Sequence, residues 1–190
     1  MSTSLDEFKK VLSEVGATSK AALAGITALP LVSLAMDLTP PWPRGVAIAT
    51  CLVELVVLML TFHHVRHAKL KIINRTLTAS FAGLIIASLI YFVLMSLVVF
   101  EGPNGDKFVK GFVCTNDALK IYGDACPFLP KSLIKEANFD ADRLWTQLSL
   151  MGVRLALLVL WSAAFMFLSS LTGCFVVYHI SQKSREIGAQ

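Results

Sequence analysis

Apolar residues gather along the chain into four stretches, Ala21 to Leu38, Val46 to Phe62, Leu77 to Phe100 and Leu155 to Tyr178, separated by short polar segments and one long one. The last three match or approach the roughly 20 residues that an α-helix needs to cross about 30 Å of hydrocarbon, and charged or aromatic residues flank each of them. The first is short and carries Pro30 in its middle. The pattern predicts an all-α integral membrane protein with transmembrane helices over 21–38, 46–62, 77–100 and 147–180.

The polar segments predict the remaining elements. Leu5, Phe8, Val11, Leu12 and Val15 recur at three- and four-residue spacing, while Asp6, Glu7, Lys9, Lys10 and Glu14 fill the opposite side, so residues 1–20 read as an amphipathic helix. It would lie at the membrane surface or serve as a docking surface. Thr39-Pro40-Pro41-Trp42-Pro43-Arg44 cannot be helical throughout, because proline lacks the backbone donor and restricts its predecessor. Residues 39–45 are therefore a rigid turn, with Trp42 as an interfacial anchor. Residues 63–76 form a basic turn, 101–146 a long loop and 181–190 a tail.

Small residues recur at four-residue spacing within the spans, as in Ala79, Gly83 and Ala87 or Ser169 and Gly173. Such stripes let helix backbones approach closely where lipid offers no hydrophobic driving force. They predict a packed bundle, within one subunit or between copies.

Composition narrows the class. With 55% apolar and 16% charged residues the chain departs from soluble domains, whose charged fraction is nearer a quarter. The segments outside the spans leave no room for a soluble catalytic domain of ordinary size. The net charge of +4 matters through its placement. Lys9, Lys10, Lys20, Arg66, Lys69, Lys71, Arg75, Lys183 and Arg185 fall on one side, against Arg44, Lys107, Lys110, Lys120, Lys131, Lys135 and Arg143 on the other. Arg66, Lys69, Lys71 and Arg75 crowd one short turn, whereas the long loop interleaves its bases with acids. Basic residues in short loops dominate orientation, so both termini are expected in the cytosol, in a bacterial inner membrane. A cleavable leader is disfavoured, since the bases ahead of the first apolar run are balanced by Asp6, Glu7 and Glu14.

Candidate chemistry lies at few positions. Glu54, near the middle of the second span, should not face lipid, and Arg154 is its candidate ion-pair partner within or between subunits. An unpaired Glu54 would be structural, carry a proton or line an ion path. Cys114 and Cys126 bracket a short segment with Thr115 as N-cap and Gly123 as stop, which predicts a disulfide closing the loop on the oxidising side. Cys51 and Cys174 fall inside spans and read as packed thiols. Membrane thiol oxidoreductases of similar size use closer pairs such as C-x-x-C, so redox catalysis is disfavoured. His63 and His67 share one helical face and are weak metal candidates, with no carboxylate in their run and Arg66 beside them. No phosphate-binding Gly-rich loop or catalytic triad is present, and neither a cofactor nor sequence-specific nucleic-acid binding is expected.

In its plan of four spans, cytosolic termini and one long outer loop, the chain resembles the four-span membrane subunits of two-component bacterial defence systems of the Kiwa type. The resemblance covers topology. It implies a membrane sensor of phage attack that recruits a separate cytosolic effector. The expected function is accordingly that of a non-enzymatic, oligomeric envelope sensor or scaffold. Its contacts would be membrane lipids and a cytosolic protein, reached through Phe8, Lys9, Lys10, Leu12, Arg66, Lys69, Lys71 and Arg75. An oligomeric ion channel around Glu54 and an immunity protein against a pore-forming toxin are the rival expectations.

Overall fold

The computed structural model describes residues 25, 28–43, 45–65, 68–102 and 105–188, with side chains described as far as Tyr178. Among the described residues three helices are long and apolar enough to cross a membrane: α1 (Val46–Val65), α2 (Leu70–Val98) and α6 (Gln147–Gly188), the last over Gln147–Tyr178. Of the first apolar stretch, residues 28–35 are helical. This segment ends where Asp37 turns to φ 56° and the Leu38 N–H reaches back to Ser33 O at 3.0 Å. The expected amphipathic helix over 1–20 lies outside the described residues, as do Arg44, Arg66 and His67.

The helices overrun the apolar stretches, except that α2 stops at Val98, two residues short of the span expected to end at Phe100, where a strand begins. The basic turn expected over 63–76 shrinks to the few residues between Val65 and Leu70, because His63–Val65 continue α1 and Leu70–Thr76 open α2. Lys71 and Arg75 are good helix formers whose charges remain exposed on the first turns of α2. The tail expected over 181–190 is likewise helical to Gly188, through a run free of proline. Hydropathy reports membrane thickness, whereas helix ends follow capping and propensity.

The chain folds as two compact units, a helical unit (Met1–Thr39, Gly45–Ile86 and Ser162–Gln190) and a loop-bearing unit (Pro40–Arg44 and Ala87–Trp161). In the helical unit α1 buries Val46, Ala47, Thr50, Glu54, Leu58, Phe62 and Val65 along one face. Ile48, Leu52, Leu55, Val56 and Leu60 stay exposed, as lipid-facing positions do. Phe62 and Val65 pack with Ile73 of α2 and with Cys174 and Val177 of α6. An added Cβ at Gly83 would come within 2.7 Å of the Phe167 ring, and one at Gly173 within 3.1 Å of Thr61. These small residues set how closely α6 approaches its two neighbours.

In the loop-bearing unit α2 passes directly into a strand. β1 (Val99–Glu101) pairs antiparallel with β2 (Lys107–Val109), placing Phe100 opposite Phe108 and Glu101 opposite Lys107. The two rings stack at 5.7 Å, and opposite charges face across the pair. Gly105 at φ 79° and the 2.8 Å bond from Gly102 N–H to Asp106 O shape the connection. The hydropathy pattern gives no sign of this hairpin, although Gly102-Pro103-Asn104-Gly105 is turn chemistry.

Helices α3 (Asn116–Tyr122), α4 (Lys131–Glu136) and α5 (Ala141–Leu144) follow, with a 3₁₀ turn at Gly123–Ala125. Thr115 caps α3, its hydroxyl accepting from Ala118 N–H at 3.2 Å and donating to Arg143 O at 2.7 Å. Gly123 at φ 47° ends it. Cys114 and Cys126 are disulfide-bonded with Cα atoms 6.3 Å apart.

A bridge spanning so few residues stabilises the loop by about 2–4 kcal/mol. Cys114→Ser, Cys126→Ser and the double variant should therefore lower thermal stability to the same extent, with no additivity between the single changes. Additive losses, or two free thiols in mass spectra of the unreduced protein, would remove the crosslink from this fold.

Candidate functional site

A helix that is apolar all round hides which of its faces is buried, because lipid and protein interior are equally apolar. Polar side chains break that symmetry. Thr50 and Glu54 of α1, Ser80 of α2, and Ser169 and Thr172 of α6 are all buried within the helical unit. Most find partners locally. Thr50 Oγ1 donates to Val46 O at 2.8 Å and Thr172 Oγ1 to Leu168 O at 2.9 Å, each one turn back along its own helix. Ser80 Oγ donates to Ser170 Oγ at 3.1 Å, tying α2 to α6.

Glu54 differs from these groups. It is 1% exposed, and neither carboxylate oxygen has a hydrogen-bond partner among the described residues. Arg154, its expected partner, is not among the groups bonded to it. Arg154 is half-buried on α6 and belongs to the loop-bearing unit. An ionised carboxylate without partners at this depth costs several kcal/mol, whereas a well-packed apolar side chain of similar size costs nothing comparable. Stability alone does not account for a glutamate here, and Glu54 is the chain's most distinctive intramembrane group.

The loop-bearing unit has its own apolar core of Phe100, Cys114, Ala118, Leu129, Ile134, Ala141, Leu144, Trp145 and Leu150. Its members come from the strand that ends α2, from the loop helices and from the first turn of α6. Trp145, 0% exposed, ties them together. Its indole Nε1 donates to Pro127 O at 3.1 Å, its backbone bridges to Cys114, and its ring lies 6.3 Å from Phe100. Below this core Tyr91 of α2 and Trp161 of α6, both buried, meet at 5.6 Å. Sequence reading misses Trp145, which between a loop and a span passes for an interfacial anchor. Its position two residues before Gln147, where the helix begins, is the available signal.

Other predicted positions stay apart from these sites. His63, His64, Lys69, Lys71 and Arg75 are exposed near the α1–α2 connection. Cys174 is buried and Cys51 half-buried, and neither is in a disulfide. Among the described residues no three His, Cys, Asp or Glu side chains gather to hold a metal ion.

Glu54→Met, which removes the unpartnered carboxylate while keeping most of its volume, should leave the protein assembled and raise its thermal midpoint in detergent. A fall of several degrees would mean that Glu54 has a stabilising partner after all. Gly83→Ala should destabilise by about 1–3 kcal/mol through the clash with Phe167, and Phe167→Leu should relieve much of that loss. No protein family, curated protein or solved structure matches the chain.

Proposed function

We propose that this chain is a non-enzymatic, oligomeric membrane receptor, with its loop-bearing unit on the outer side of a bacterial inner membrane and both termini in the cytosol. The loop unit receives a stimulus, and the helices pass the resulting shift to a cytosolic protein partner. One observation carries this reading: the loop core takes Phe100 from the end of α2 and Leu150 from the start of α6, with no flexible linker on either side. Packed cores deform poorly, so a ligand that moves the loop also moves the helix ends.

Orientation rests on the basic residues near the α1–α2 connection and on the disulfide, which persists in oxidising compartments. Topological resemblance to Kiwa-type membrane subunits supplies the proposed stimulus, phage attack at the envelope. Glu54, enclosed without a hydrogen-bond partner among the described residues, is the group whose environment would change on signalling.

Lys120, exposed on α3, provides the test. In a background with Cys51 and Cys174 replaced by alanine, Lys120→Cys should react with a membrane-impermeant maleimide in intact spheroplasts. Reaction only after permeabilisation would reverse the orientation and remove the receptor reading. Plaque assays supply the functional arm: the chain, expressed with its genomic neighbour, should lower plating of at least one phage, and Cys114→Ser should weaken that protection. Equal plating of every phage with and without the pair would exclude the defence role.

A further inference from the structure

The connection between β2 and α3 runs against the first turns of α6 and turns apolar side chains outward. Gly111 makes the approach possible: an added Cβ there would fall 2.6 Å from Ser149 Oγ and 2.7 Å from Trp145 Cβ. The next two backbone N–H groups, of Phe112 and Val113, both donate to Ser149 Oγ, the second at 2.9 Å. Val113 O accepts from Thr146 N–H at 2.9 Å. Phe112 and Val113 are nevertheless half exposed, at 50% and 56%, and Leu148 beside Ser149 is 86% exposed.

These side chains continue an existing surface. On α6, Leu148, Met151, Leu155 and Val159 recur at three- and four-residue spacing along one exposed stripe, and Phe112 and Val113, bonded to Ser149, lie beside its first turn. The candidate span of α6 begins at Gln147, eight residues or about 12 Å along the axis before Leu155, where the long uncharged run starts. Hydrocarbon accounts for about 30 Å and the interfacial layers bring the total to about 40–45 Å, so the first turns of α6 fall at headgroup depth.

We infer that Gly111–Val113, together with Leu148, is a lipid-binding anchor that seats the loop-bearing unit in the membrane interface. Non-helical backbone is tolerated in hydrocarbon only where protein or water satisfies its polar groups, so internal pairing lowers the cost of seating this segment at the edge of that layer. Ser149 Oγ pairs both N–H groups and Thr146 N–H pairs the Val113 carbonyl, leaving the two side chains free for the acyl–headgroup boundary. The occupant is lipid, because the patch is continuous with the lipid-facing stripe of the same helix. This anchor does not depend on the receptor reading.

The test places a nitroxide at Phe112→Cys, in protein lacking Cys51 and Cys174 but keeping the Cys114–Cys126 bridge, reconstituted into phosphatidylcholine–phosphatidylglycerol vesicles. Collision with oxygen relative to a water-soluble nickel chelate reports depth. The ratio at Phe112→Cys should exceed that at Asp117→Cys, an exposed α3 position, several-fold. Equal ratios would place the segment in water and overturn the anchor. Exclusion of both reagents would mean that protein, such as a second copy, covers the patch, which overturns it equally. If Phe112→Cys does not assemble, Val113→Cys and Leu148→Cys carry the same comparison.

Discussion

The loop of this protein depends on one junction, the packing of Trp145 against the ends of two candidate membrane-spanning helices. A loop between spans is too short to build a large core, and segments of this size ordinarily need a staple. Here the core is completed from outside the loop. Phe100 arrives on the strand that continues α2, Leu150 on the first turn of α6, and the Trp145 indole donates its N–H to Pro127 O while Cys114 pairs with its backbone. The Cys114–Cys126 bridge restrains the unfolded loop, and the helix ends supply the apolar surface that the loop lacks.

That arrangement bears on mechanism. A loop tethered by flexible segments moves without consequence for its helices, whereas one that shares its core with them does not. Tyr91 and Trp161 extend the shared packing into α2 and α6. The helical unit answers to a different constraint. Its Thr50, Ser80 and Thr172 hydroxyls are hydrogen-bonded along or between helices, and Glu54 is enclosed without a hydrogen-bond partner among the described residues. Under the proposed receptor role, that unsatisfied carboxylate is the element held away from its stability optimum.

Sequence makes the coarse architecture legible because apolar runs of membrane length have few alternative readings. Three of the four stretches fall in helices of spanning length, and Thr115 and Gly123 cap and end α3 as their chemistry requires. The burial of Glu54 follows from its charge. Helix ends are less legible: Lys71, Arg75 and the residues after Tyr178 suit helix as well as turn, and hydropathy does not distinguish helix in water from loop. The β1–β2 hairpin is hidden by its short strands. Trp145 and Ser149 are hidden because a partner distant in sequence, Phe100 for one and the Phe112–Val113 backbone for the other, gives each its role.

Hydrogen exchange tests the shared core most directly. Amides of Lys107–Leu144 and of Gln147–Trp161 should exchange as one cooperative unit, and Trp145→Ala should accelerate both by a similar factor. If Trp145→Ala accelerates the loop alone and leaves Gln147–Trp161 as protected as in the unaltered protein, the loop folds independently of its helices and the coupling proposed here does not exist.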